Sequence, residues 1–131
     1  MYLIDSDIII YSLKGDPVIT ENLRNNRMYP MAISVITYGE MVYGARKSQQ
    51  VERNLATARR VAEIYPLLPV TQSVIETFAN IRADLQIVGT PVDDMDLLIA
   101  ATAMAHNLTL VTNNEKHFLR IPGLSLVNWA T

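Results

Sequence analysis

The sequence predicts an α/β protein with a mostly parallel sheet that helices cover on both faces. Short apolar runs bounded by polar or turn residues indicate buried strands, and longer segments with helical periodicity lie between them. Strands that alternate with helices form βαβ units, whose strands pair in parallel. Because 131 residues leave room for one domain, we expect residues 1–131 to form a single unit.

The strands are predicted at Tyr2 to Ile4, Met31 to Ile33, Leu108 to Val111 and Leu124 to Val127. The helices are predicted at Asp7 to Leu13, Val18 to Arg24, Val35 to Lys47, about Gln49 to Ile64, Thr71 to Val88 and Asp94 to His106. Ser34 is a suitable N-cap for the third helix, and Ser73 with Glu76 has the spacing of a capping box in the fifth. Gly89 is expected to end that helix.

The composition narrows the functional classes. Hydrophobic residues make up 50% of the chain and charged residues 18%, so the chain can bury a core. The absence of cysteine excludes disulfides and thiolate metal sites. A net charge of −2 argues against binding nucleic acid mainly through a bulk positive field. The N-terminal MYLIDSDIII has no basic region, so we expect no signal peptide, no membrane span and a cytoplasmic protein.

Polar residues follow two predicted strands, at the end of the sheet where open α/β proteins bind ligands. Asp5 follows the first strand directly and suits equally a helix N-cap or a functional acid. Asp7 suits the first turn of the next helix, where the helix dipole favours negative charge, so we favour a structural role for it. Thr112 and Asn114 follow the third predicted strand, either as an ordinary turn or as groups that orient carboxylates or a bound water.

Two helices are expected to bring further acids to the same edge. Glu40 lies opposite the apolar face of its helix, with open space left by Gly44 one turn on, although a solvated surface glutamate would show the same pattern. Asp93, Asp94 and Asp96 crowd the start of an apolar helix that needs only one of them as its cap. Asp96 is expected to face the sheet, so we interpret it as the functional acid of the three.

The gathered carboxylates indicate a metal site. Without a lysine or arginine among them they would raise one another's pKa unless a cation bound. Oxygen ligands select hard cations, which favours Mg²⁺ or Mn²⁺, and the corresponding chemistry is phosphodiester hydrolysis. His106 and His117 have neither the HExxH spacing of a zinc enzyme nor a cysteine partner, so we interpret both as surface or cap residues.

Four segments of the chain match the pattern of a known family: LIDSD, ISVITYGEMVYGARKS, GTPVDDMDLLIAATA and LTLVTNNEKHFLRIPGLSLVNW. Through them the chain resembles the PIN domain over essentially its whole length, and more narrowly the VapC group. The last two segments are specific, because an acid heads an LLIAA helix and LVTNN precedes a terminal Asn-Trp. The resemblance implies a three-layer α/β/α sandwich around a parallel five-stranded sheet.

The resemblance assigns the catalytic and metal-binding roles to Asp5, Glu40 and Asp96, with Mg²⁺ or Mn²⁺ as the cofactor. It assigns auxiliary roles to Asp7, Thr112, Asn114 and Glu115. Many relatives have an acid at the place of Asn114, and here the adjacent Glu115 is the candidate substitute. The change bears on a second metal site and leaves the first intact.

The resemblance also implies partners. VapC-like proteins are ribonuclease toxins whose substrate is RNA, often a structured one such as tRNA. A VapB-like antitoxin covers their acidic site, and they form homodimers or toxin–antitoxin hetero-oligomers. Candidate contacts to the phosphate backbone are Arg24, Arg27, Arg46, Lys47, Arg53, Arg59, Arg60, Lys116 and Arg120.

Two other functions fit parts of the sequence. A phosphatase of the haloacid-dehalogenase type would use Asp5 as its nucleophile and Thr112 as its hydroxyl residue, but it needs a later lysine and an acidic pair, and Lys116 lies too near. A PIN-like module that binds RNA or a protein without cutting is the second alternative. The three retained acids argue against it.

Overall fold

The computed structural model describes all of residues 1–131 and contains five strands and seven helices. The strands are β1 (Tyr2–Ile4), β2 (Met31–Ser34), β3 (Leu67–Leu68), β4 (Thr109–Val111) and β5 (Leu126–Val127). The helices are α1 (Ser6–Leu13), α2 (Pro17–Asn25), α3 (Val35–Arg46), α4 (Val51–Ile64), α5 (Gln72–Val88), α6 (Asp94–Ala105) and α7 (Glu115–Phe118). The strands and helices predicted from the sequence are all present, with ends that differ by one or two residues.

All strand pairs are parallel, and the strand order is β3-β2-β1-β4-β5. In the centre of the sheet Leu3 lies opposite Ala32 on one side and Leu110 on the other. The connections from β1 run outward in one direction to β2 and β3, and the later strands β4 and β5 lie on the other side. The carboxyl ends of β1 and β4 therefore flank the switch point, where an open α/β sheet leaves a crevice.

Two apolar clusters cover the two faces of the sheet and make the protein a three-layer α/β/α sandwich. Because side chains alternate along a strand, Leu3 and Leu110 belong to one cluster while their neighbours Ile4 and Val111 belong to the other, and all four are fully buried. The first cluster is completed by α5, α6 and α7, and the second by α1, α2 and α4. The predicted helix cover on both faces is confirmed.

Two short elements were not expected. The strand β3 has only two residues between Pro66 and Pro69, and it pairs with β2 at the edge of the sheet, where prolines are tolerated. A run this short carries no periodicity. The single-turn helix α7 occupies a segment that was interpreted as a turn, and the fully buried ring of Phe118 fixes it to the first cluster.

The capping box predicted at Ser73 and Glu76 is wrong. The helix α5 begins two residues earlier than such a box would require, and Thr71 is its N-cap, with a hydroxyl that accepts a hydrogen bond from the Val74 N–H at 3.3 Å. Glu76 instead accepts a hydrogen bond from the Gln72 amide. The predicted N-cap at Ser34 and the predicted stop at Gly89, which has a φ of 74°, are confirmed.

Candidate active site at the carboxyl edge of the sheet

Asp5 is the N-cap of α1 and is also a buried acid at the carboxyl end of β1. Its backbone N–H donates to the Val111 carbonyl at 2.9 Å, which continues the β1–β4 ladder by one residue. One carboxylate oxygen, Oδ1, accepts from the Ser6 N–H at 2.8 Å, and the other, Oδ2, accepts from the Thr112 hydroxyl at 2.8 Å. The residue is only 6% exposed. The carboxylate is thus held in a fixed orientation at the switch point.

Asp7 connects α1 to the loop that follows β4. Its Oδ2 accepts from the Asn113 N–H at 3.1 Å, and the Thr112 hydroxyl lies 3.5 Å away. Burial raises the pKa of Asp7, and these hydrogen bonds oppose that effect. The structural role favoured for Asp7 is therefore present, but the side chain also places a second carboxylate beside Asp5.

The three acids at the start of α6 have separate partners. Asp93 is the N-cap, with Oδ2 accepting from the Met95 N–H at 3.1 Å. Asp94 is exposed and pairs with Arg82, with 3.4 Å between Nε and Oδ1. Asp96 is largely covered and its Oδ2 lies 2.9 Å from Nδ1 of His117. Of the three, Asp96 has a charge that acts on both Asp5 and Glu40, whereas the charge of Asp93 acts on Glu40 only.

Glu40 extends from α3 toward the same edge. Desolvation, and then the charges of Asp5 and Asp96, raise the pKa of its carboxyl to about 7. The residue is exposed on its outer side, so water and salt screen part of that repulsion. A side chain added at Gly44 would meet nothing within 4 Å, so the open space expected beside Glu40 is present.

No lysine or arginine offsets the negative charge of this edge of the sheet. Burial, and then the charge of Asp7, raise the pKa of Asp5 to about 6, even though the Thr112 and Ser6 hydrogen bonds lower it. The ion pairs with lysine or arginine in the molecule are Arg24 with Glu21 and Arg82 with Asp94, and both are on the surface. No lysine or arginine therefore neutralises Asp5, Asp7 or Glu40.

The donor set of this edge fits a hard divalent cation. Carboxylate oxygens are what Mg²⁺ and Mn²⁺ prefer, and a bound cation would relieve the repulsion that raises the pKa values of Asp5 and Glu40. No three histidine or acidic side chains already converge closely enough to hold an ion by themselves. Hydrated Mg²⁺ keeps several waters and needs only one or two protein carboxylates, so its binding does not require three converging ligands.

The segment after β4 carries His117, whose contact with the acidic edge was not predicted from the sequence. The Asn114 N–H donates to the Thr112 hydroxyl at 3.0 Å, and its side-chain amide lies 3.0 Å from Nδ1 of His117. His117 was interpreted as a surface or cap residue; it is half exposed, but its ring contacts Asp96. Glu115, in contrast, is exposed at the start of α7 and forms no hydrogen bond or ion pair with the other acids.

A cleft of about 590 Å³ opens beside Glu40, between α1, α3 and α4. Its walls combine apolar side chains such as Leu13 and Met41 with the cations Lys14 and Arg53. Arg53 was among the basic candidates of the sequence, and Lys14 was not. The cleft therefore joins the acidic edge to a surface that is both apolar and basic.

No helix of the molecule combines the length and apolar character that crossing a bilayer requires. His106, the other histidine, ends α6 at its far end from Asp96 and takes no part in the acidic edge.

Comparison with known proteins agrees with this geometry. A family model described as the PIN domain matches residues 2–124. A tRNA(fMet)-specific endonuclease VapC of Salmonella typhimurium is 38% identical over 129 residues, which are 98% of this chain and 97% of the relative. Ribonuclease VapC2 of Haemophilus influenzae is 34% identical over 128 residues, with 98% and 97% covered. The solved structure of VapBC2 from Rickettsia felis, bound to a DNA fragment from its promoter, matches with a TM-score of 0.91, 33% identity and 98% of each chain covered.

The chain therefore belongs to the PIN-domain family, in its VapC group. The five-stranded parallel sandwich implied by the sequence motifs is confirmed. The assignment goes against the haloacid-dehalogenase alternative.

Proposed function

We propose that this protein is the ribonuclease toxin of a VapBC-type toxin–antitoxin pair and that it hydrolyses RNA phosphodiester bonds with the help of a divalent cation. The main support is the acidic edge: Asp5 is buried, desolvation and then the charges of Asp5 and Asp96 raise the pKa of Glu40 to about 7, and no lysine or arginine forms an ion pair with Asp5 or Glu40. An edge of this kind binds a cation and, through the cation, a phosphate.

Each side chain of the edge has a distinct role in this proposal. When bound, Mg²⁺ or Mn²⁺ would orient a water and offset charge on the phosphate. Asp5, Glu40 and Asp96 would hold it. Thr112 fixes the Asp5 carboxylate through the 2.8 Å hydrogen bond. Glu40 is exposed on one side, so a carboxylate oxygen that is not bound to the cation could accept a proton from the attacking water.

The substrate and partners follow from the relatives. Because one relative is a tRNA(fMet)-specific endonuclease, we propose structured RNA such as tRNA as the substrate. The partner is a VapB-like antitoxin, as in the VapBC structures of the relatives. We further propose that residues 1–131 act as one domain, that the toxin forms a homodimer or a hetero-oligomer with its antitoxin, and that it works in the cytoplasm.

Cleavage of RNA by the purified protein tests the metal-dependent activity. Total RNA incubated with Mg²⁺ or Mn²⁺ should acquire new ends at a small number of sites. EDTA should abolish this cleavage, because the acids bring no positive charge and only the cation can offset the charge of the phosphate. Undiminished cutting after rigorous chelation would overturn the metal mechanism. RNA that is bound but left intact in Mn²⁺ would favour the non-cleaving module, and a phosphate trapped covalently on Asp5 would favour the phosphatase.

Growth of a bacterial host tests the toxin assignment. Expression of this chain alone should arrest growth, and co-expression of an antitoxin encoded beside it should restore growth. In the complex we expect a basic or bulky antitoxin segment over Asp5, Glu40 and Asp96, because a cationic side chain can replace the charge of the metal. A folded protein that leaves growth unchanged would contradict the assignment.

A further inference from the structure

His117 is the one nitrogen donor at the acidic edge. The one-turn helix α7 presents it, and the neighbouring Phe118, only 1% exposed, anchors that turn in the core. Its Nδ1 lies 2.9 Å from Oδ2 of Asp96 and 3.0 Å from the side-chain amide nitrogen of Asn114. The ring is thus held against Asp96 by packing on one side and by a polar contact on the other.

The two contacts of Nδ1 require different states of this nitrogen. A neutral imidazole nitrogen either carries a proton or has a lone pair. The Asn114 side-chain NH₂ group, which lies next to Nδ1, can only donate, so it needs the lone pair, whereas the ionised Asp96 carboxylate can only accept, so it needs the proton. If Nδ1 accepts from Asn114, its lone pair also faces a carboxylate oxygen with no proton between them. A shared cation would satisfy both atoms at once.

The distance between the two atoms suits such a cation. Adjacent ligands of a six-coordinate ion at about 2.1 Å lie roughly 3 Å apart. The measured separation of Nδ1 and Oδ2 is 2.9 Å. Imidazole nitrogen suits first-row transition metals better than the hard Mg²⁺, and Mn²⁺ is the first-row ion that oxygen-rich sites also accept. A histidine in this place would therefore shift the metal preference of an otherwise all-oxygen site.

We propose that His117 is a ligand of the bound cation, that it coordinates through Nδ1 next to Asp96, and that it makes this site prefer Mn²⁺ over Mg²⁺. The inference rests on the divalent-cation site of the proposed function. It adds to that site a nitrogen ligand that the acids alone do not provide. His117 is 54% exposed, so its replacement should leave the fold intact.

Pulsed electron paramagnetic resonance of the Mn²⁺-loaded protein tests the ligand directly. The chain has only two histidines, so a ¹⁴N modulation from coordinated imidazole can come only from His117 or His106. The modulation should be present in the wild type and in His106→Ala, and absent in His117→Ala and His117→Gln. A wild type that binds Mn²⁺ without ¹⁴N modulation would overturn this inference alone. A wild type that binds no divalent cation at all would overturn the metal site of the proposed function as well.

Calorimetric titration of the same four proteins tests the metal preference. His117→Ala should lose Mn²⁺ affinity by about tenfold or more, while its Mg²⁺ affinity changes by less than about twofold. The Mn²⁺/Mg²⁺ affinity ratio should therefore collapse in both His117 variants and persist in His106→Ala. An equal loss for the two metals would mean that His117 only positions Asp96, and it would overturn the proposed ligand role.

Discussion

The two ends of the sheet hold their polar groups in different ways. At the amino end neutral groups pair with each other: the hydroxyls of Thr109 and Ser125 lie 2.9 Å apart, and the Tyr2 hydroxyl donates to Asn26 at 3.3 Å. At the carboxyl end two carboxylates, Asp5 and Asp7, share one neutral donor, the Thr112 hydroxyl, and Asp7 also accepts from the Asn113 N–H. Neutral donors orient a carboxylate, but they do not cancel its charge.

This difference supports the proposed metal site at the carboxyl end. At the amino end the hydroxyls of Thr109, Ser125 and Tyr2 have neutral partners, and no carboxylate is among them. At the carboxyl end the same fold leaves net negative charge on Asp5 and Glu40 and raises their pKa values to about 6 and about 7. A bound cation would relieve this repulsion, so the repulsion in the metal-free protein contributes to the affinity for a cation. The predictions below test this contrast.

The largest effect is expected from Asp96→Asn, compared with Asp94→Asn as a matched control two residues away. Asp96 faces the proposed cation, whereas Asp94 is exposed and pairs with Arg82. Cleavage by Asp96→Asn should fall by about 100-fold or more, because an amide supplies the lost charge poorly. Asp94→Asn should cut RNA nearly as fast as the wild type. Equal activities of the two variants, measured on a defined RNA, would show that Asp96 is not at the active site.

The same pair of variants also separates function from stability. Removing the Asp96 charge relieves its repulsion with Asp5 and Glu40. In EDTA the free energy of unfolding of the variant should therefore equal that of the wild type or exceed it by up to about 1 kcal/mol, which appears as an equal or higher melting temperature. The additional stabilisation by Mn²⁺ should shrink, because a weaker ligand set binds the ion less tightly. Much lower melting in EDTA, with cleavage retained, would make Asp96 a residue that only stabilises the helix start.

A smaller effect is expected from two fully buried threonines that differ in their partners. The Thr112 hydroxyl donates to Asp5 and accepts from the Asn114 N–H, while the Thr37 hydroxyl has no hydrogen-bond partner. Thr112→Val should cost about 1–3 kcal/mol, because it leaves a buried carboxylate oxygen without its donor. Thr37→Val should be neutral or stabilising, because it removes an unsatisfied buried hydroxyl. Urea denaturation at pH 8 measures both.

A double-mutant cycle ties the Thr112 effect to the acid. In an Asp5→Asn background Thr112→Val should cost clearly less, because the charged acceptor is gone. Additive effects of the two changes would mean that the loss comes from the turn around Asn114 and has nothing to do with the carboxylate.

The fold could be predicted from the sequence because its signals are periodic. Strands such as Leu108 to Val111 stand between helices of clear periodicity, and alternation within each strand requires two apolar layers. The edge strand Leu67–Leu68 was not predicted, because a run of two residues is too short to show hydrophobic periodicity. The start of α5 was predicted correctly, but its cap was assigned to Ser73, because a threonine and a serine two residues apart offer competing caps and the choice between them depends on tertiary packing.

The site was only partly predictable for a related reason. Asp5 and Asp96 follow from their places at a strand end and a helix start, positions that sequence marks. His117 does not, because its contact with Asp96 joins residues 21 apart through a turn whose helical form depends on the burial of Phe118. The spacing of Asn114 and His117 by three residues was the only signal, and it is common in turns.

The smallest effect is expected in the pH dependence of the metal-free protein, measured as the melting temperature in EDTA from pH 5 to pH 8. The folded-state pKa of Glu40, about 7, lies above its ordinary value of 4.5. The stability linked to this group is therefore complete below about pH 4.5 and is lost as the pH rises through about 7. Wild type should lose stability over this range, and Glu40→Gln should lose less, because only the contributions of Asp5 and Asp7, whose pKa values are also raised, remain. Glu63→Gln, an exposed control on α4, should parallel the wild type. Because Glu40 is exposed, the difference between the two curves should be small, and the test compares their steepness. A Glu40→Gln curve as steep as that of the wild type would show that Glu40 does not share the charge of the acidic edge.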